Sequence, residues 1–353
     1  MKRILYIAGS VAVIAILIIS NGGSNANKDR EIVIGAALSL SGAAVQDGES
    51  IKSGLELARA DLKAEGIEVR IIYQDDKTEP KNVVGSINAL AAQGVEAIVG
   101  PTWSYLADAG VPVADSLKIV TVMPANTSEY VNARSDYAFY TTTKIEKMLP
   151  VLSEWISERD KKKVAVISGQ GSWYQVVRSG VQRAVKDAGA EIVLSEEIPY
   201  GADSSAIASA LSKVKAAKAD VLFFEVDDEQ AIFSMLKKVR EQKIPVDILS
   251  VTTAVERVKG DLKIDNGVYA LAPETSEEFK AKYEAAYGKL APAYADSAYD
   301  SLMLLVDAIR NRDEMTLASY LRFETDYKGF AKEYDFDARG DIIGGAWVVR
   351  DLR

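Results

Sequence analysis

The residues with the clearest chemical potential fall in one stretch, 96–128, which reads EAIVGPTWSYLADAGVPVADSLKIVTVMPANTS. Gly100 and Pro101 stop the apolar run of Ile98 and Val99, and Ser104 then stands where a hydroxyl caps a helix over 105–116. Backbone N–H groups beside Thr102, Trp103 and Ser104 therefore gather at a helix start, an arrangement that binds anions. A second apolar strand, 119–123, ends at Pro124 and delivers Ala125, Asn126 and Thr127 to the same rim if the two strands are parallel neighbours.

Three other loops carry groups suited to a small ligand. Ser41 and Asp47 lie in SLSGAAVQDGES (39–50), between the first strand and a helix, and point toward any crevice outside the strand ends. GxGxxG and GxxxxGK[ST] are both missing, so this loop is not read as a nucleotide cradle. Trp173 and Tyr174 open a later helix, where the rings either pack beneath it or stack on a ligand. Glu225, Asp227, Asp228 and Glu229 cluster past a strand end. Asp228 and Glu229 suit a helix start, whereas Glu225 and Asp227 are nearer the strand tip and suit a ligand ammonium.

Composition narrows the chemistry. The 353-residue chain contains no Cys and no His, which excludes thiolate nucleophiles, histidine triads and the usual transition-metal ligands. Ser104 has neither a His nor a Lys base in its rim, so no catalytic residue is assigned and the chain is not read as an enzyme. The formal charge of −9, with no basic stripe, argues against a nucleic-acid partner. DxDxxGD at 335–341 misses the EF-hand spacing and its terminal Glu, so it reads as a hairpin turn and no metal is expected. No cofactor is called for. The Asn126-Thr127-Ser128 sequon is discounted because it falls on the rim.

The elements that position these groups alternate regularly. Residues 1–27 read as a targeting segment: Lys2 and Arg3, an apolar run over 4–19, then the polar linker NGGSNAN. The run would span roughly 24 Å as a helix, short of a ~30 Å hydrocarbon core, so a cleaved signal peptide and a retained membrane anchor both stay open. Either way the remainder is exported. Strands are expected at 32–37, 67–73, 98–99 and 119–123, with helices over 49–64, 80–93 and 105–116. After Tyr140 the pattern restarts, with strands at 164–168, 191–195, 221–225 and 246–250, so the chain holds an internal repeat offset by on the order of 130 residues. A further strand at 267–271 and helices over 276–287 and 294–310 follow, with Ala298, Leu302, Leu305 and Ile309 forming one core-facing stripe. The tail reads as a hairpin pairing Tyr334 and Phe336 with 346–349 around a turn at 338–340.

In order and spacing, IVIGAALSLSG, IIYQDD, EAIVGPTWS, VTVMPANTSE, VAVISGQGSWY and the terminal DFDARGD together resemble the type I periplasmic binding proteins. Within them they are similar to the leucine/isoleucine/valine-binding family of ABC-transporter receptors, over residues 31–353. The resemblance implies two Rossmann-like α/β lobes, parallel sheets flanked by helices, joined by three crossings near 140–143, 269–273 and 336–340. The lobes are expected at 28–141 with 272–335, and 142–271 with 336–353. It implies ligand contacts from the hydroxyl at Ser104, the carbonyl at Ala125, the hydroxyl and N–H at Thr127, and a closing ring at Tyr174. Trp103, Asp47, Trp173, Glu225 and Asp227 complete the expected site. Two departures stand out: Asp47 replaces a common aromatic, and 250–253 holds no carboxylate for a ligand amine. Either Glu225 or Asp227 takes that role, or the ligand is not an amino acid. The expected partners are a small ligand, an amino acid or small carboxylate, and an ABC-transporter permease, with the protein acting as a monomer. The alternative is a membrane-anchored sensor using the same clamshell.

Overall fold

The computed structural model describes residues 30–352 except 128, 130, 132–133, 227–228, 252–254, 256–257, 259–266 and 331. The expected targeting segment and Asp227 thus lie outside the described residues.

The first sheet contains β1 (Ile32–Leu38), β2 (Val69–Asp75), β3 (Ala97–Val99), β4 (Val120–Met123) and β5 (Ala138–Tyr140), in the order β2-β1-β3-β4-β5. All of its pairings are parallel. Helices α1 (Val45–Ala64), α2 (Pro80–Ala92) and α3 (Ser104–Leu117) connect its strands. The second sheet repeats the plan with β6 (Lys163–Ser168), β7 (Glu191–Glu197), β8 (Val221–Glu225), β9 (Asp247–Ser250) and β10 (Val268–Pro273), ordered β7-β6-β8-β9-β10. Its helices are α4 (Met148–Glu158), α5 (Ser172–Asp187), α6 (Ser204–Ala216) and α7 (Glu229–Glu241). The two sheets therefore share one strand order, the structural form of the repeat seen in the sequence.

Near-continuous apolar strands such as AIV, VTVM and VLFFE are buried along their whole length, as strands covered on both faces must be. One face of the first sheet packs on α1 through Ile51, Leu55, Ala58 and Leu62, whose spacing makes one helical stripe. Three later helices follow: α8 (Glu277–Tyr287), α9 (Ala295–Asn311) and α10 (Leu317–Phe323). Ala298, Leu302, Leu305 and Ile309 of α9 join that same core, as their spacing predicts. The opposite face is covered by α2 and α3 through Val83, Ile87, Leu90 and Leu106. The second sheet is sandwiched likewise, with α6 and α7 on one side and α4 and α5 on the other.

The tail differs from expectation in its pairing. Strand β12 (Glu333–Tyr334) pairs with β11 (Tyr327–Lys328), Phe336 bridges Ile342, and β13 (Trp347–Asp351) runs antiparallel along β10 rather than back along 334–336. An antiparallel partner is what closes the edge of β10 that its parallel neighbour leaves open. Among the described residues the chain passes between the sheets after Tyr140, after Pro273, and between Ile342 and Trp347. The third passage comes later than the sequence suggested because residues 340–341 are stitched to the first sheet. Tyr140 N donates to Gly340 O at 2.7 Å, and Asp341 bridges Tyr140.

Polar groups tie the passages together. Thr141 Oγ1 lies 2.8 Å from Ser301 Oγ, and Thr275 Oγ1 donates to Asp296 Oδ2 at 2.8 Å. Lys332 is buried and donates to Ser297 Oγ at 3.0 Å and Thr141 O at 3.3 Å, with burial lowering its pKa against the pull of Asp296 and Asp300. Lys147 Nζ caps the carbonyls of Ile343, Gly344 and Gly345.

Candidate functional site

In a sheet ordered 2-1-3-4-5 the chain direction across the sheet reverses between the first and third strands. Their following loops leave toward opposite faces and open a crevice at the carboxyl ends. Both sheets obey this, so the crevice residues follow β1 and β3 in one and β6 and β8 in the other. These four loop regions face one cleft of about 890 Å3.

On the first side, Gly100 (φ +108°) presses the β3 loop onto β1: a Cβ there would sit 2.1 Å from Ala37 O. Ser39 N donates to Thr102 Oγ1 at 3.0 Å, locking the two loops together. Helix α3 begins at Ser104 itself, with Trp103 as its N-cap and no side-chain cap. The expected Ser104 cap is therefore corrected, because that hydroxyl is turned to Asn126 Oδ1 at 3.0 Å instead. Helix α1 starts at Val45, so Asp47 lies in its first turn rather than in a loop, and accepts from Trp103 Nε1 at 2.9 Å. The Trp103 and Tyr105 rings meet edge-on, 6.1 Å between centroids.

On the second side, the Tyr174 ring lies over Gly169, where a Cβ would come within 2.5 Å of Cζ. Only a residue without a side chain leaves that seat open. Arg178 holds the loop from behind, donating to Ser168 Oγ at 2.7 Å and pairing with Glu197 at 2.6 Å. Glu225 is 2% exposed, and its Oε2 accepts from Val251 N at 3.3 Å and Ser250 Oγ at 3.4 Å. Glu225 thus places a buried carboxylate beside 250–251, the segment that itself holds none.

Asp47, Trp103, Ser104, Ala125, Trp173, Tyr174 and Glu225 all line the cleft. Thr127 does not: it is buried, and its hydroxyl donates to the Glu129 carboxyl. The hydroxyl expected to meet a ligand is engaged by this nearby acid. Asn126, expected on the rim though not as a ligand contact, also lines the cleft, and lining residues not anticipated include Tyr105, Tyr200, Tyr294, Asp296 and Arg350. Tyr200 and Tyr294 stand in loops far along the chain, with no periodic signal to mark them.

Electrostatics beneath the rim are unusual. Burial first, then a hydrogen bond with Glu146 and the charge of Asp341, push the Glu129 carboxyl up to about 8, against the pull of the Thr127 hydroxyl. Burial alone would also raise Glu146, yet the bond from Glu129 and the charges of Lys144 and Arg339 hold it below the usual range. With both groups ionised, buried Glu129 Oε1 has no hydrogen-bond partner; with a proton on Glu129, Glu146 accepts it. Among the described residues no group of acids forms a metal site.

Two sheets of one strand order facing a single lined cleft define a two-lobed ligand-binding architecture. The chain belongs to the periplasmic binding protein family, whose profile matches residues 31–349. It is 22% identical over 343 residues to a Leu/Ile/Val-binding protein homolog 2 of Brucella abortus, covering 92% of this chain and 91% of that one. It is 24% identical over 338 residues to the leucine-, isoleucine-, valine-, threonine-, and alanine-binding protein of Pseudomonas aeruginosa, covering 86% and 88%. A solute-binding protein of an ABC transporter from R. palustris, in complex with benzoate, superposes with TM-score 0.78 at 17% identity, covering 92% and 94%.

Proposed function

We propose that the protein is an extracytoplasmic solute-binding protein that captures a small ligand, an amino acid or related small carboxylate, and delivers it to an ABC transporter. The observation that carries this reading is the pairing of two switch-point crevices across one cleft: Ser104, Ala125, Trp103 and Asp47 on one wall, Trp173, Tyr174 and Glu225 on the other. Each sheet with its helices acts as a lobe, and ligand contacts to both walls favour the closed arrangement that a membrane partner reads. The family's character as solute-binding proteins and the named ligands of the relatives support this. The chemistry is binding rather than turnover, and the protein works as a monomer with its permease. Among the described residues no helix is long and apolar enough to cross a membrane.

A thermal-shift screen of the purified chain against amino acids, aromatic acids and small amides tests the reading, since a ligand bound only by the folded state raises Tm by mass action. A stabilising solute whose affinity falls in Ser104→Ala supports it. A chain stabilised by none of them, or one that turns its solute over, contradicts it.

A further inference from the structure

Trp103 is held at both ends. Its carbonyl accepts from Leu106 N at 3.0 Å and Ala107 N at 2.9 Å, so its backbone heads α3. Its indole Nε1 donates to Asp47 Oδ2 at 2.9 Å, a residue 56 positions away in the chain. Asp47 stands in the first turn of α1, where the helix dipole favours an ionised carboxylate. That turn is pressed onto the β1 loop: Gly48 lies on Ser39, where a Cβ would come within 1.9 Å of the carbonyl oxygen. Ser39 N donates to Thr102 Oγ1 at 3.0 Å, which brings the path of contacts back to Trp103. The circuit through 39, 48, 47, 103 and 102 is closed, and a side chain tied at its backbone and at its far end keeps one orientation.

An indole has a single polar hydrogen, and Asp47 takes it. The neighbouring Tyr105 hydroxyl likewise donates to Thr78 O at 2.9 Å, and the two rings meet edge-on. The polar hydrogens of both rings are thus spent within the protein, and both residues line the cleft. On the other wall stand Trp173 and Tyr174, the latter ring seated over Gly169. The first N–H groups of α3, beside Trp103, have no helix carbonyl to bond and suit an anionic group of the solute. The seat for charge and the indole are therefore adjacent in sequence, so the body attached directly to the charged group is what meets the ring.

We propose that Asp47 is a positioning residue that fixes the Trp103 indole as a flat wall of the cleft, and that this wall selects solutes with a planar ring beside their carboxylate. The Asp47 carboxylate acts through the indole and is not the solute's own partner. This rests on the solute-binding reading above and narrows its solute class.

Isothermal titration of the full chain with matched pairs is the test: benzoate against cyclohexanecarboxylate, and phenylalanine against cyclohexylalanine. The members of each pair share their charged groups and carbon count and differ in the flatness of the ring. A saturated ring is at least as apolar, so area burial alone gives it no disadvantage. Stacking favours the flat member of each pair that binds, by about threefold to tenfold. That preference vanishes in Trp103→Leu and in Asp47→Ala, and persists in Asp47→Asn, whose amide oxygen still accepts from Nε1. A purely structural role would weaken both members alike and leave their ratio unchanged. Saturated members that bind as tightly as the flat ones overturn the assignment, as does a ratio that survives Trp103→Leu or Asp47→Ala, or one lost as fully in Asp47→Asn as in Asp47→Ala. A solute found by the thermal-shift screen, with no binding of any of the four probes, overturns it too. Each of these results leaves the solute-binding reading standing. If neither the screen nor the four probes yields a bound solute, the solute-binding reading itself fails and the assignment with it.

Discussion

Replacing Glu129 by Gln should flatten the pH dependence of stability. Glu129 is 9% exposed in its side chain, with Thr127 Oγ1 on one oxygen, Arg339 at 3.8 Å from the other, and the Glu146 and Asp341 carboxyls nearby. Its pKa is raised from 4.5 to about 8, so between those values the native state holds a proton that the unfolded chain has released. Stability from this group is fully present below pH 4.5 and is lost as pH rises through about 8, with a slope of up to about 1.4 kcal/mol per unit. Two units, from pH 5 to 7, then cost the wild type about 2–3 kcal/mol, or roughly 3–5 °C in Tm for a chain of this size. Gln is permanently neutral and donates to Glu146 as the protonated acid does, so Glu129→Gln loses this slope. Tm measured from pH 5 to 9 on both proteins shows the variant gaining on the wild type as pH rises. Parallel curves would refute a shared proton at Glu129.

Three further substitutions probe the frame of the site. Gly169→Ala drives a Cβ into the Tyr174 ring, and should weaken binding of any solute found in the screen by about tenfold while changing Tm by only a few degrees; titration and melting on the same preparation check both. Lys332→Met removes the buried cation facing Asp296 and Asp300, and a loss of ~3–5 kcal/mol in urea unfolding is expected. Gly100→Ala meets both a φ of +108° and the Ala37 carbonyl, so it should unfold at clearly lower urea than the wild type, by about 2 kcal/mol or more.

The alternation of buried strands and amphipathic helices was legible because each signal is local. Strand cores such as VTVM and the α9 stripe need only their own residues to be read. The start of α1 was missed by four residues because Asp47 and Gly48 are poor helix formers that tertiary packing overrides. Pairing is non-local, which is why β13 was assigned to Tyr334 and Phe336 when its partner is β10. At the site, residue types at strand tips singled out Asp47, Trp103, Ser104, Trp173, Tyr174 and Glu225, and all six line one cleft. Which proton goes where was beyond such reasoning: Ser104 turns to Asn126 and Thr127 to Glu129 through loop geometry that spacing does not encode.

The central claim is that a small solute sits between Ser104 on one wall and Glu225 on the other. Isothermal titration of the solute identified by thermal shift, on wild type and on Glu225→Gln, tests it most directly. One site per chain with affinity reduced at least about tenfold in the variant is the predicted result. Unchanged affinity in a variant that melts like the wild type would contradict it.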